Sequence, residues 1–275
     1  CTSKACGEDG ITIAMLRMTF SVVGPHILHV INSCIVRCEL PPTWQTAVVI
    51  PLHKGGDVHE PTNYRPISIL PVVSKLCERV VCTQLTDYLV GHNILCPQQY
   101  GFRPGLSTEA ALLDTVTYAV QNIDDGRVTS LVAADTSKAL DGVEHDRLLE
   151  KMGWYGVDVR WFRAWLSGRC QTVRGGIDEA LPVTHGVVQG SILGPVLFLL
   201  FTNDLPQHVP QSKLVMYADD VQFLDTDSPD NLAQLKCRVE NTLSVALDWF
   251  NQNRLKINPS KTELVLLKSS RRNVD

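Results

Sequence analysis

From position 214 to 224 the chain reads LVMYADDVQFL, two adjacent aspartates set between two apolar runs. The apolar flanks draw this segment into a core. Adjacent carboxylates resist burial unless something neutralises them. The pattern predicts a hairpin, with strands over 213–217 and 221–224 and a tight turn at Ala218-Asp219-Asp220. An Asp-Asp pair alone is a common tip of a solvated hairpin. Here the flanks are too apolar for that reading, and a second carboxylate repeats the setting. Asp135 follows the apolar run TSLVAA at 129–134 and precedes a polar turn.

If those two strands are neighbours, Asp135 and Asp219 meet at one end of a sheet. Mg²⁺ favours oxygen ligands and is often held by one or two carboxylates plus substrate phosphates. Two such ions about 3.5–4 Å apart can clamp the attacking and leaving oxygens of an in-line displacement. This is the logic of nucleotidyl transfer.

Periodicity supplies the surroundings. Helices are expected over 9–38 (as two helices, the second after Pro25), 74–90, 108–123 with Ser107 or Thr108 as N-cap, 146–152, 159–166, 191–202 and 232–251. Strands are expected over 46–52, 129–134, 171–177 and 264–267, with a short apolar segment between Pro66 and Pro71. Helices and strands mix without strict βαβ alternation. The predicted class is α+β, a small antiparallel sheet backed by helices.

Composition narrows the function classes. Hydrophobic residues make up 44% and charged residues 20%, so a core can form. The nine cysteines are scattered without a Cys-x-x-Cys pair, which points to free thiols in a reducing, intracellular compartment. His26, His29, Cys34 and Cys38 are zinc-type ligands, but they fall on an apolar helical stretch and read as core-facing. The longest continuous apolar run, 192–201, is too short to span a membrane, and no membrane partner or secretory leader is expected. A formal net charge of −4 looks unfavourable for binding phosphates, yet Arg254, Lys256, Lys261, Lys268, Arg271 and Arg272 gather near the C-terminus. Trp44, Trp154, Trp161, Trp165 and Trp249 read as packing residues. The chain starts at Cys1 and reads as a piece of something longer.

The motifs together resemble a known family. YADD at 217–220 resembles the signature turn of reverse transcriptases, where viral RNA-copying polymerases usually carry Gly-Asp-Asp. DTSKALDGVEH (135–145), HGVVQGSILGPVLFLLFTNDL (185–205) and NRLKINPSKTE (253–263) are similar to that family's other blocks. Upstream, PLHKGGDVHEPTNYRPISILPVVSKLCERV (51–80) and QQYGFRPGLSTEAAL (98–112) resemble the fingers of non-LTR, LINE-type retrotransposons, the jockey and CR1-like groups among them, and GEDGI (7–11) is similar to the usual lead-in. Seven blocks occur in the family's order, from about residue 4 to 268.

The resemblance implies a right-hand polymerase, mainly fingers over about 1–128 and mainly palm over about 129–268, with no thumb. It implies RNA-directed DNA synthesis from dNTPs on an RNA template and DNA primer, with two Mg²⁺ ions (Mn²⁺ as a substitute). An active element would act in the nucleus. Asp135 and Asp219 would bind both ions, the Thr136 backbone could contact one, and Asp220 would assist a metal or hold the turn. Lys54 and Arg65 would contact the incoming triphosphate, Lys as a point charge and Arg as a fork. Gln189 and Gly190 would shape the floor under the new base pair. Lys261 could donate a proton to the leaving pyrophosphate. Tyr217 could pack beside the primer end or belong to the core, and Arg103 could touch template or brace the fingers.

Some positions depart from the family. Leu140 stands five positions after Asp135, where Phe or Tyr usually crowds a ribonucleotide 2′-hydroxyl, so weakened sugar discrimination is expected. Val188 replaces a usual proline before Gln-Gly, and Cys6 and Glu8 depart in the first block. These departures keep a second reading open, a folded but inactive reverse-transcriptase-like scaffold or decayed copy. Neither the oligomeric state nor the preferred RNA is legible.

Overall fold

The structure, a computed structural model, describes residues 6–175 and 179–269. Arg271 and Arg272 of the basic cluster, Cys1, residue 4 and the far end of the strand expected over 171–177 lie outside them. In chain order the elements are α1 (Ile13–Arg37), β1 (Thr46–His53), β2 (Tyr64–Ile69), α2 (Val72–Gly91), α3 (Thr108–Asp124), β3 (Val128–Ala134), β4 (Thr136–Ser137), α4 (His145–Trp154), α5 (Arg160–Leu166), β5 (Cys170–Val173), β6 (Leu181–Pro182), α6 (Gly194–Thr202), α7 (Leu205–His208), β7 (Lys213–Tyr217), β8 (Asp220–Asp227), α8 (Leu232–Gln252), β9 (Lys256–Ile257) and β10 (Glu263–Leu267). The fold is mixed helix and sheet, and the chain divides into two compact units. One joins the chain up to His92 with Glu144–Leu197; the other joins Asn93–Val143 with the chain from Phe198 onward.

The first unit carries a four-stranded sheet ordered β2-β1-β5-β6. β1 and β2 form an antiparallel hairpin, whereas β1 and β5 run parallel. Helices α1 and α2 pack together in this unit. Its core includes Leu70, Leu89, Leu148, Met152, Trp165 and Leu166.

Three sequence expectations need correction in this unit. The stretch 9–38 is one helix with Pro25 inside it, capped by the Thr12 hydroxyl and closed by Cys38 in a left-handed conformation. The proline removes one backbone donor without ending the helix, because helical bonding resumes on both sides of it. His26 and His29 are exposed on α1 and only Cys34 of the four zinc-type residues is buried, so the core-facing reading fails for both histidines. Trp154 is 59% exposed at the end of α4 and is not a packing residue; the other four tryptophans are buried. α1 is also long and apolar enough, by length and composition, to cross a membrane, and little of it is buried. A search for continuous apolar runs misses it because Arg17, Pro25 and two histidines interrupt the sequence.

The second unit holds the antiparallel sheet β10-β3-β8-β7. Its edge strand β10 is largely exposed, whereas alternation gives β3, β7 and β8 two buried faces. On one, Val215 and Leu224 pack with Ala111 of α3, and Thr115 of α3 donates to Gln222 at 2.8 Å. On the other, Ser212 donates to Asp225 of β8 at 2.6 Å and is bonded at 2.7 Å to Thr242 of α8. Helices thus pack on both sides of the β3-β8-β7 part of the sheet, α3 on one and α8 on the other. A two-stranded sheet, β4-β9, follows at the end of β3.

Candidate active site

The carboxylates come from the ends of paired strands. β3 and β8 are hydrogen-bonded neighbours with Ala134 opposite Val221, so the next residues along that register are Asp135 and Asp220. β7 and β8 close through Ala218 and Asp219, with Tyr217 paired to Asp220. Two further bonds fix the arrangement. The Thr136 hydroxyl donates to the Asp219 carbonyl at 3.2 Å, and the Asn258 N–H donates to the Asp135 carbonyl at 2.8 Å. Thr136 itself is buried and pairs with Ile257 across β4-β9.

The electrostatics follow from this convergence. Asp220 is exposed at the end of the sheet, yet partial desolvation of its carboxyl raises it above its ordinary value; the charges of Asp219 and Asp135 raise it further, and Lys261 pulls it back. Lys261 Nζ lies 3.2 Å from Asp135 Oδ2. The short turn Pro259–Lys261 that presents it is capped by the Asn258 side chain, which accepts from the Ser260 N–H. Among the described residues no three His, Cys, Asp or Glu side chains close on a single point as a ready-made cage. The donor set still fits a magnesium-type ion. Such an ion takes one or two carboxylates and completes its shell with phosphate and water, and a divalent cation would relieve the like-charge strain on Asp220.

The other candidates in this unit are also placed. Leu140 lies half-buried in the short turn Ala139–Gly142, which follows Lys138 in a left-handed conformation. Tyr217 is half-buried and packs against the cluster of Ala111, Val215 and Leu224. Arg103 Nη1 donates to the carbonyls of Cys96 at 2.8 Å and Gln99 at 3.1 Å, so it braces its own loop.

Lys54, Arg65, Gln189 and Gly190 belong to the first unit. Lys54 and Arg65 are exposed on the β1–β2 hairpin, with Arg65 opposite Leu52 and the Lys54 N–H donating to the Asn63 carbonyl at 2.8 Å. Gln189 accepts from the Ser68 N–H at 2.7 Å through its carbonyl, docking its loop on β2. Gly190 is required there: its φ is +116°, and a Cβ would stand 2.4 Å from the Ser68 carbonyl oxygen.

The sequence from 52 to 274 matches the family described as reverse transcriptase (RNA-dependent DNA polymerase). The chain belongs to that family. Among curated relatives of this reverse-transcriptase chain is the probable RNA-directed DNA polymerase from transposon BS of Drosophila melanogaster, 33% identical over 94% of this chain and 30% of that protein. The probable RNA-directed DNA polymerase from transposon X-element of the same organism is 29% identical over 98% of this chain and 30% of its own length. The RNA-directed DNA polymerase from mobile element jockey, also of Drosophila melanogaster, is 28% identical over 94% of this chain and 29% of its length. The chain therefore spans about 30% of these relatives.

Two contributors to this reverse-transcriptase chain escaped the sequence reading. Glu78 of α2 is buried; its carboxylate accepts from the Ile192 N–H at 2.7 Å and from the Trp165 indole N–H at 3.2 Å, holding the loop before α6. A charged residue on the buried face of an otherwise amphipathic helix was the available signal. The loop at 98–101 also runs beside β7: the Met216 N–H donates to the Gln98 carbonyl and the Tyr100 N–H to the Met216 carbonyl, both at 2.8 Å.

Proposed function

We propose that this chain carries the fingers and palm of an RNA-directed DNA polymerase of a non-LTR retrotransposon, joining dNTPs to a primer 3′-hydroxyl on an RNA template. The observation that carries this reading is the convergence of Asp135 with Asp219-Asp220 at one end of the antiparallel sheet, with Lys261 against Asp135. The palm, with that sheet, lies mainly over about 129–268 and the fingers, with the β1–β2 hairpin, mainly over about 1–128.

Asp135 and Asp219 would hold two Mg²⁺ ions, with Mn²⁺ as substitute, and Asp220 and the Thr136 backbone would support them. Bound there, the ions supply charge stabilisation for the attacking and leaving oxygens. The protein's own groups do the rest. Lys54 and Arg65 bind the triphosphate, Gln189 and Gly190 support the template base and the incoming nucleotide, and Tyr217 flanks the primer end while anchored in the core. Lys261 stands free enough of the core to hand a proton to pyrophosphate. Leu140 leaves more room at the sugar than an aromatic ring would. For an element that primes on chromosomal DNA, this activity belongs in the nucleus.

Primer extension tests the reading. A labelled DNA primer on poly(rA) should lengthen with dTTP and Mg²⁺, and not with dCTP. An inactive scaffold, the alternative that Leu140 leaves open, would give no extension with either nucleotide.

A further inference from the structure

We infer that Gln99 is a positioning residue that holds the 217–220 turn in the shape its aspartates need, an inference that rests on the polymerase reading. Ala218 is the first of the two residues that close the β7–β8 hairpin, and its φ is +56°. This left-handed conformation costs a residue with a Cβ, and glycine usually occupies such a position. Ala218 is also buried, and a residue at a two-residue turn has no strand partner for its own N–H and C=O.

The Gln99 carboxamide answers both groups. Its Oε1 accepts from the Ala218 N–H at 3.0 Å and from the Gly101 N–H at 2.8 Å. Its Nε2 donates to the Ala218 carbonyl at 3.2 Å. The opposite amide orientation would set an NH₂ group against two N–H donors, so this network fixes which way the amide faces. Gln99 is 2% exposed, so no water competes for these bonds. The Ala218 carbonyl belongs to the peptide plane that leads into Asp219. Clamping it therefore sets the direction in which the Asp219 side chain leaves the turn.

The neighbouring residues fit this role. Gly101 lets the two backbones touch, since a Cβ there would lie 2.2 Å from Ala218 N. Arg103 holds the Gln99 carbonyl, and Asn203 holds the start of the loop by accepting from the Cys96 N–H at 2.7 Å and donating to the Ile94 carbonyl at 2.9 Å. Of Gln99, Arg103 and Asn203, it is Gln99 whose side chain bonds to Ala218 of the turn, while Thr136 meets the Asp219 carbonyl from β4. Glutamate could not replace it fully, because a carboxylate oxygen would face the Ala218 carbonyl.

The test uses the whole chain with dTTP and reads Mn²⁺ binding by electron paramagnetic resonance, hydrogen exchange at the Ala218 amide, and the unfolding midpoint. Gln99→Ala should speed Ala218 exchange and weaken Mn²⁺ binding about tenfold or more, as loss of an outer support does at other metal sites. Gln99→Glu should fall between. Adding Ala218→Gly to Gln99→Ala should recover part of the Mn²⁺ affinity, because glycine takes the positive φ unaided. Asn203→Ala loosens the same loop without touching the turn; it should lower the unfolding midpoint and leave Mn²⁺ affinity unchanged. Equal loss of Mn²⁺ affinity in Gln99→Ala and Asn203→Ala, or unchanged Ala218 exchange in Gln99→Ala, overturns the inference. If the unaltered chain binds Mn²⁺ no better than Asp219→Asn, the metal reading fails and the role of Gln99 in positioning the metal-binding aspartates fails with it. Ala218 exchange still reports separately whether the amide holds the turn.

Discussion

Lys261 Nζ lies 3.2 Å from Asp135 Oδ2, and the lysine side chain is 67% exposed. A pair this open contributes at most about 1 kcal/mol to stability. Under the proposed function its value would lie elsewhere, in keeping a cation beside the carboxylates that would hold the metal. Lys261→Met should leave the thermal midpoint nearly unchanged. It should slow single-turnover extension by about a hundredfold, the low end for a positioned general acid. Unchanged extension would assign Lys261 to the surface.

Leu140 faces the question of sugar choice. Leu140→Phe should lower the use of rGTP relative to dGTP on a poly(rC) template, because a planar ring would crowd the 2′-hydroxyl. The readout is the ratio of kcat/KM for the two nucleotides. An unaltered ratio would remove the steric explanation.

Glu78 and Arg169 are both buried, and Arg169 stacks on Trp165 at 4.1 Å. Burial pulls the guanidinium down to about 10, opposed by the Glu78 charge, and burial pushes Glu78 up. Among the described residues both Nη atoms of Arg169 lack a hydrogen-bond partner, and Glu78 supplies the opposing charge for an otherwise costly buried cation. Glu78→Ala should destabilise the fold by about 3–5 kcal/mol in urea unfolding. Adding Arg169→Met should recover much of that loss, since the orphaned charge goes with it.

His145 offers a pH signature. Burial lowers its pKa, partly offset by its 2.9 Å contact with the Gly186 carbonyl, and His185, Arg169 and Asp146 act on it more weakly. With the native value below the unfolded one, the folded state binds fewer protons. The contribution is complete above the unfolded value of about 6.5 and is lost as pH falls through the lower native value. Denaturant unfolding should therefore show stability dropping on acidification below about pH 6.5. His145→Gln should flatten that part of the curve; an identical slope in the variant would exclude His145 as its source.

The strands that hold the candidate carboxylates were readable because they combine apolar flanks with a forced turn. LVMYADDVQFL and TSLVAAD form neighbouring strands, and their register runs to Ala134 opposite Val221, so the residue next in line with Asp135 is Asp220, where the expectation names Asp219. Helices with a cap signal were equally plain, as at Ser107, whose side chain accepts from the Ala110 N–H. What escaped the sequence depends on distant partners. Pro25 reads locally as a helix break, yet the helix continues through it. Gln99 lies 119 positions before the turn it grips, and no local spacing connects the two. Glu78 meets Ile192 only after α2 and the loop before α6 have folded together.

The most direct test is extension of the labelled primer on poly(rA), comparing the unaltered chain with an Asp219→Asn, Asp220→Asn variant of matched thermal midpoint. The account predicts Mg²⁺-dependent extension by the first and none by the second. Equal extension by both would contradict it, because the chemistry would then lie away from the 217–220 turn.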